Sequence, residues 1–255
     1  MHEEQVDLQR AAQQLGVHYQ TAYRWVRTGK LPAQLVDGRY QVRADDIAAL
    51  TSRRATPQLP PPPSSSRLDR SAERMHGALV AGDEATVRRL AHGLVDNGAS
   101  IVEVIQRVLV PPLVRIGADW HDGTLTIWVE HRASAIIERL LGELAPNPRG
   151  RRRGTAMVAA VSGDLHSLPV SMAAVALRDD NWTVEHLGAN MPPDELVRFC
   201  CEYDVDLAVL SSTNPDTADL ARRTADRLRA ADVRVILGGP GRTLEELQLE
   251  ARVGV

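Results

Sequence analysis

The sequence predicts a multidomain chain, α-helical in its first parts and α/β in its last. Three observations carry this. Apolar residues recur at helical spacing between Arg67 and Leu144. From Ala156 to Leu237, short apolar runs alternate with helical stretches, the pattern of a doubly wound parallel (Rossmann-like) sheet. A Pro/Ser-rich stretch, PQLPPPPSSS over 57–66, cannot pack a core and separates residues 1–54 from both. The expected organisation is a unit over 1–54, a spacer over 55–66, a helical domain over 67–146 and an α/β domain over 154–255. A short basic break, PNPRGRRRG, lies between the last two.

Composition narrows the class. The 255 residues carry a net charge of −3, with 44% hydrophobic and 25% charged residues, as in soluble globular proteins. No apolar run approaches the roughly 20 residues that span a bilayer. The start, Met1-His2-Glu3-Glu4, lacks the basic and apolar regions of a signal peptide, so a cytoplasmic protein is expected. The only cysteines are the adjacent Cys200 and Cys201, which excludes a disulfide framework and a cysteine-based zinc site. Lys30 is the only lysine. Between Val17 and Arg43 five cations (Arg24, Arg27, Lys30, Arg39, Arg43) face one acid, Asp37, a local charge of +4. A basic patch on an acidic chain points to a local polyanion contact.

In the first unit, Leu8 to Gly16 reads as a helix ending in a turn glycine. Tyr19 to Thr28 reads as a second helix, stopped by Gly29. This is helix-turn-helix spacing. Leu35 to Val42 reads as a two-stranded wing around an Asp37-Gly38 turn. Asp45 is placed to cap a short helix, Asp46 to Leu50. The pattern AAQQLGV followed by TAYRWVRTGKLPA resembles MerR-type winged helix-turn-helix domains. The resemblance implies that Tyr19–Arg27 enters the major groove, with Gln20, Thr21, Arg24 and Arg27 on DNA. It also implies that Arg39 and Tyr40 of the wing contact phosphates. Gln and Arg offer bidentate contacts to base edges. The alternative is a small helical module that binds protein, with Arg24 and Arg27 merely solvated.

The middle unit reads as a four-helix bundle. Arg67–Val80 is the first helix. Asp83 caps a second that runs to Asp96 and ends at Asn97-Gly98. Ser100 opens the third, with Pro111-Pro112 expected to kink it before an end near Gly117. The fourth runs from Thr126 to Leu144. The last unit reads as strands over 156–161, 183–187, 207–210 and 233–237, separated by helices over 170–178, 194–201 and 217–230. Little sequence follows Leu249, so a fifth strand is marginal and a closing helix is not expected. The sheet edge is then bare or covered by another subunit.

Three short stretches carry chemistry. Asp119-Trp120-His121-Asp122 lies between the third and fourth helices, and Trp128-Val129-Glu130-His131 lies early in the fourth. Gly163-Asp164-Leu165-His166-Ser167 follows the first strand of the α/β unit, where such sheets bind ligands. An exposed His166 can present a neutral imidazole to a metal, while Asp164 accepts from the other ring nitrogen and fixes the tautomer. Taken singly, each stretch has a plain alternative. His166 reads as a surface histidine near an acid, Trp120 and Trp128 as core aromatics, His131 as an interior histidine and Glu130 as a solvated helix residue.

A helical bundle followed by an α/β domain opening on Asp-x-His resembles the cobalamin-binding modules of methionine synthase and its relatives. Their pattern Asp-x-His-x-x-Gly, then small residues after the third strand and Gly-Gly after the fourth, has counterparts here in Asp164, His166, Ser211-Ser212-Thr213 and Gly238-Gly239. The small residues leave room for the buried nucleotide tail. Pro169 stands where that pattern has glycine. With the helix-turn-helix unit, the chain resembles the CarH/LitR family of adenosylcobalamin-dependent light-sensing repressors. Their hallmark, a bundle Trp followed ten residues on by Glu-His, is met by Trp120 and Glu130-His131.

The resemblance implies that Trp120 packs against the adenosyl group, Glu130 hydrogen-bonds it and His131 lines the same pocket. His166 is then the lower axial ligand to cobalt, and His121 ligates from above after light breaks the Co–C bond. It further implies a homo-oligomer, a tetramer, that holds operator DNA in the dark and releases it in light. Two rivals remain. One is a light-independent sensor of cobalamin or another tetrapyrrole. The other is a corrinoid carrier subunit of an enzyme, which the DNA-reading unit and the lack of room for a catalytic barrel disfavour. No catalytic residue and no membrane partner are expected.

Overall fold

The computed structural model describes residues 5–15, 19–27, 30–36, 39–54, 64–147 and 150–253. The expected Asp37-Gly38 turn, Gly16, Thr28-Gly29 and most of the spacer lie outside these residues. The chain divides into two compact units, Met1–Pro61 and Pro62–Val255, each described by itself. Among the described residues no helix is long and apolar enough to cross a membrane.

In the first unit, strand β1 (Gln5–Asp7) precedes helices α1 (Leu8–Gln14) and α2 (Tyr19–Arg27); strands β2 (Gln34–Val36) and β3 (Arg39–Arg43) and helix α3 (Ala44–Arg54) follow. The wing is therefore a three-stranded antiparallel sheet, ordered β1-β3-β2, rather than a two-stranded ribbon. Asp7 ends β1 and caps α1, accepting from the Arg10 N–H at 2.8 Å. Leu8, Ala11, Trp25, Leu31, Val42 and Ile47 form the core. Helix α3 starts at Ala44, so Asp45 lies inside its first turn, where it favours the positive end of the dipole, instead of capping it. The same helix runs on to Arg54, past the expected end at Leu50.

The second unit opens with α4 (Ser65–Ala81) and α5 (Glu84–Asp96). Ser64 stands at the N-cap of α4, so the serines at the end of the supposed spacer are the start of this helix. Asp83 accepts from the Thr86 N–H at 3.0 Å to cap α5. The third bundle helix is compound: α6 (Ile101–Val104), a π-turn (Ile105–Leu109) and α7 (Val110–His121). Ser100 caps it through the Glu103 N–H at 3.0 Å. It runs to His121, past the expected end near Gly117, and the irregularity expected at Pro111 and Pro112 is the π-turn just before them. They fall in the first turn of α7, where a missing N–H costs no bond, and the wide turn before them absorbs the irregularity. Asp119, Trp120 and His121 are consequently the last helical turn, not a loop. Helix α8 (Ile127–Leu144) completes the bundle.

The α/β part alternates β4 (Thr155–Val161), α9 (Ser167–Asp179), β5 (Thr183–Met191), α10 (Pro193–Glu202), β6 (Leu207–Ser211), α11 (Ala218–Ala230), β7 (Arg234–Leu237) and α12 (Leu244–Arg252). The four strands are parallel in the order β5-β4-β6-β7. Alternate β4 residues serve the two faces. Ala156, Val158 and Ala160 pack with residues of α9 and α12, while Met157, Ala159 and Val161 pack with residues of α10 and α11. The expected absence of a closing helix is corrected. Residues 244–252 form α12, started by a reciprocal capping box between Thr243 and Glu246 and seated by Leu247 and Ala251. Among the described residues there is no fifth strand. Helix α9 starts at Ser167, so Pro169 occupies its first turn, where proline is tolerated.

The bundle core does not stop at the bundle. Leu79, Ile105, Leu109, Ile137 and Leu140 are continuous with Met172 and Val175 of α9. Ile137 is fully buried in that cluster, so Ile137→Ala should cost about 2–5 kcal/mol, read as a lowered urea midpoint with unchanged slope.

Candidate cofactor site and nucleic-acid interface

The sheet order places the divergence point of the doubly wound fold between β4 and β6, where the loops after both strands open a crevice. Asp164 lies on the first of these loops, with 0% of its surface exposed. A buried carboxylate needs donors, and it has them from both loops. The Thr213 N–H donates at 2.8 Å, the Thr213 hydroxyl at 3.1 Å and the Asn214 N–H at 3.2 Å. From its own loop the His166 N–H donates at 3.1 Å and the His166 ring at Nδ1 at 2.7 Å. Burial alone would raise the Asp164 pKa. The His166 ring and the backbone N–H groups of Thr213, His166 and Asn214 outweigh burial and hold the carboxyl below the usual aspartate range.

This pairing orients the ring. An ionised carboxylate only accepts, so Nδ1 carries a proton and Nε2 is the ring nitrogen left for a further partner. The His166 side chain is largely exposed, and Nε2 has no partner among the described residues. Held through Nδ1, the ring is oriented by a carboxylate in the way that metal-binding imidazoles are.

Two asparagines not singled out in the sequence hold the loop. Asn190 accepts from the Gly163 N–H at 2.9 Å and donates its own N–H to the Asp164 carbonyl at 3.0 Å. Asn190 sits at φ +59°, a conformation asparagine tolerates, and Gly163 at φ +90°. Asn214 supplies one of the donors to Asp164. Asparagines at or just past strand ends are the only signal that could have found them.

Beside this loop a cavity of about 300 Å³ lies beyond the carboxyl ends of β6 and β7, lined by Met172, Ser211, Thr213, Ile236, Gly238 and Gly239. Thr213 thus both lines the cavity and anchors Asp164. A Cβ on Gly239 would stand 2.9 Å from the Ser212 carbonyl, so only glycine fits there. At Gly238 a Cβ would meet its nearest atom at 3.7 Å, an ordinary contact, so the steric demand falls on one glycine of the pair. The His166 imidazole, and a cavity lined by small and apolar groups together with Gln106, Arg242 and Thr243, fit cobalamin, whose metal and nucleotide tail need those two features.

The bundle residues form a second set. Trp120, on the last turn of α7, is 43% exposed and Trp128, on the first turn of α8, is 59% exposed. Neither is a core aromatic. Ile127, beside Trp128 at the start of α8, is exposed as well. Glu130 is half-buried, pairs with His131 Nδ1 at 2.6 Å and accepts from the Ser134 hydroxyl at 2.7 Å. His131 is exposed rather than interior, and His121 ends α7 in the open. Among the described residues no hydrogen bond joins this set to Asp164 and His166. The link is α8 itself. Glu138, two turns beyond His131 on the same face, accepts from Ser167 at 3.3 Å and Ser171 at 2.8 Å. Ser167 is the residue after His166.

On the first unit, the side chains of Gln20, Thr21, Arg24, Arg27 and Arg39 lie outside the described residues. Tyr40 is described: its ring meets Tyr23 edge-on at 6.0 Å, and Tyr23 stacks on Tyr19 at 6.4 Å. An aromatic row therefore ties α2 to the wing strand β3, a feature that reading the elements one by one does not reveal.

The Asp164 contacts make a test. Because its folded pKa is depressed, the unfolded chain binds more protons around pH 4, and the stability it contributes is lost as pH falls through that window. Asp164→Asn should be less stable at neutral pH yet lose less further stability than the wild type on acidification from about pH 6 to about pH 3. Urea midpoints across that range check it.

Comparison with known proteins agrees with this geometry. The B12 binding domain family matches residues 154–255, a second B12 binding domain family matches 71–145, and a helix-turn-helix domain family matches 6–55. The HTH-type transcriptional repressor CarA of Myxococcus xanthus is 30% identical over 71% of this chain and 62% of its own length. The repressor CarH of the same organism is 31% identical over 63% of this chain and 54% of its own length. The chain thus spans less than two thirds of either relative. The monomethylamine corrinoid protein of Methanosarcina barkeri shares the fold over 71% of this chain and 95% of its own, with a TM-score of 0.56 at 18% identity. The chain thus joins a helix-turn-helix domain and two B12-binding domains in one polypeptide and is similar over most of its length to the repressors CarA and CarH.

Proposed function

We propose that the chain is a cobalamin-dependent transcriptional repressor that acts in the cytoplasm and binds operator DNA as a homo-oligomer, a tetramer. We further propose that adenosylcobalamin is its form of the cofactor and light its signal. The observation that carries the reading is the Asp164–His166 pair, anchored by Thr213, which also lines the cavity walled by Ser211 and Gly239. When bound, adenosylcobalamin supplies a light-labile cobalt–carbon bond.

The chain's own residues do the rest. Asp164 orients the His166 ring, whose Nε2 would hold the cobalt. Thr213 fixes Asp164. Trp120 offers an indole plane for an adenine, and Glu130 an acceptor for ribose hydroxyls. His131 lines the same side, and His121 is a second imidazole available to cobalt. Gln20, Thr21, Arg24 and Arg27 read bases while Arg39 and Tyr40 hold phosphates. Oligomerisation joins several such readers and tightens binding by effective concentration. The cofactor shifts that assembly only by its differential affinity for the two states.

The test uses the full chain loaded with adenosylcobalamin in the dark, with an operator selected from a random-sequence duplex pool. A tetrameric mass and tight DNA binding in the dark, both lost on green illumination, are expected. Unchanged mass and unchanged affinity would overturn the light response. His166→Ala should alter the absorption spectrum of the bound cofactor. A spectrum insensitive to that change would remove His166 from cobalt.

A further inference from the structure

The side of α4 that faces α5 carries charge that the cofactor site does not use. Arg67, Arg70 and Arg74, with Arg89 of α5, line a cavity of about 470 Å³ floored by Leu90 and Leu94. No carboxylate lines it. Arg89 is steadied by the Thr86 hydroxyl at 2.6 Å. Arg67, Arg70 and Arg74 make no ion pair among the described residues. The acids of the same helix turn the other way. Asp69 takes Arg107 at 2.9 Å and Glu73 takes Arg115 at 3.4 Å, both on the third bundle helix. Helix α4 therefore sorts its charges, pairing its acids internally and leaving three guanidinium groups on one open face.

Folding does not ask for this arrangement. Like charges converging on one cavity repel, and Arg67 lies in the first turn of α4, where the helix dipole disfavours a cation. Guanidinium groups suit phosphates, which they bind through paired donors. The spacing fits a polymer of them. From Arg67 to Arg74 the helix rises about 10.5 Å, over which one strand of duplex DNA presents about three phosphates. The chain also has a DNA-reading unit close by in sequence. Ten residues, 55–64, separate α3 from α4, and such a tether reaches at most about 36 Å.

We propose that the arginine face of α4 and α5 is a second, sequence-independent DNA contact, which grips the sugar–phosphate backbone beside the segment read by the helix-turn-helix unit. The proposal rests on the DNA-binding reading of that unit. Its test measures binding of the full chain to a random-sequence 40-bp duplex by fluorescence anisotropy across a KCl series, for wild type and for Arg67→Ala/Arg70→Ala/Arg74→Ala. Alanine keeps the helix propensity, and circular dichroism checks the fold. The slope of log affinity against log salt should be shallower by about 2.7 in the triple variant, 0.9 per lost phosphate contact. The corresponding triple lysine variant should keep most of the slope.

Wild-type binding with an unchanged slope in the triple alanine variant would overturn the proposal and leave the helix-turn-helix reading standing. Wild-type protein that binds no duplex would sink both. Light scattering in the same buffers adds a third reading: a slope lost together with mass would assign the arginines to contact between subunits and overturn the DNA contact.

Discussion

A carboxylate sealed from water keeps its charge only where donors match it. Asp164 is that group. Removing an ion from water costs several kcal/mol unless its lone pairs are met, and here donors from two loops, after β4 and after β6, converge on it. The demand fixes both loops at once. It also fixes what stands on them: the His166 ring through Nδ1, and Thr213 at the edge of the cavity. The outward imidazole is a by-product of satisfying the inward charge.

The same economy joins the bundle to the sheet. Met172 and Val175 of α9 belong to the bundle's apolar core, so the two layers share one interior. Polar contacts repeat the connection. Glu138 of α8 holds Ser171, whose hydroxyl also meets His186 of β5 at 3.2 Å. Gln106, in the π-turn, accepts from the first N–H groups of α12. The exposed tryptophans and the His166 loop therefore stand on surfaces rooted in a common core, suited to holding a large planar ligand without hinging apart.

Much of this was legible in the sequence, because local chemistry sets local structure. Asp83 and Ser100 announce helix starts, and the run Ala156–Val161 announces a buried strand. The Asp-x-His spacing by itself suggested the ring–carboxylate contact. What was not legible depends on partners distant in the chain. Three residues, Gln5–Asp7, become a strand only because β3 offers its edge. Residues 244–252 alternate leucines and acids at a spacing that shows its apolar side only against the sheet. Pro169 looked disruptive from its identity alone, yet the helix begins two residues before it, where an absent N–H is harmless. Asn190, Asn214 and Gln106 act across tens of residues, and nothing adjacent to them marks their role.

The π-turn has a consequence for how this architecture tolerates change in length. Gln106 sits within it and accepts from the start of α12, while Trp120 and His121 lie beyond it on the last turn of α7. Each residue of a regular helix advances the azimuth by about 100°. Excising one residue from 105–109 would restore an ordinary helix and swing the distal end a quarter-turn or more against the proximal end. The segment thus behaves as a fixed phase offset between the two ends of the compound helix, and insertions or deletions there are far less permissible than conservative exchanges of the same side chains.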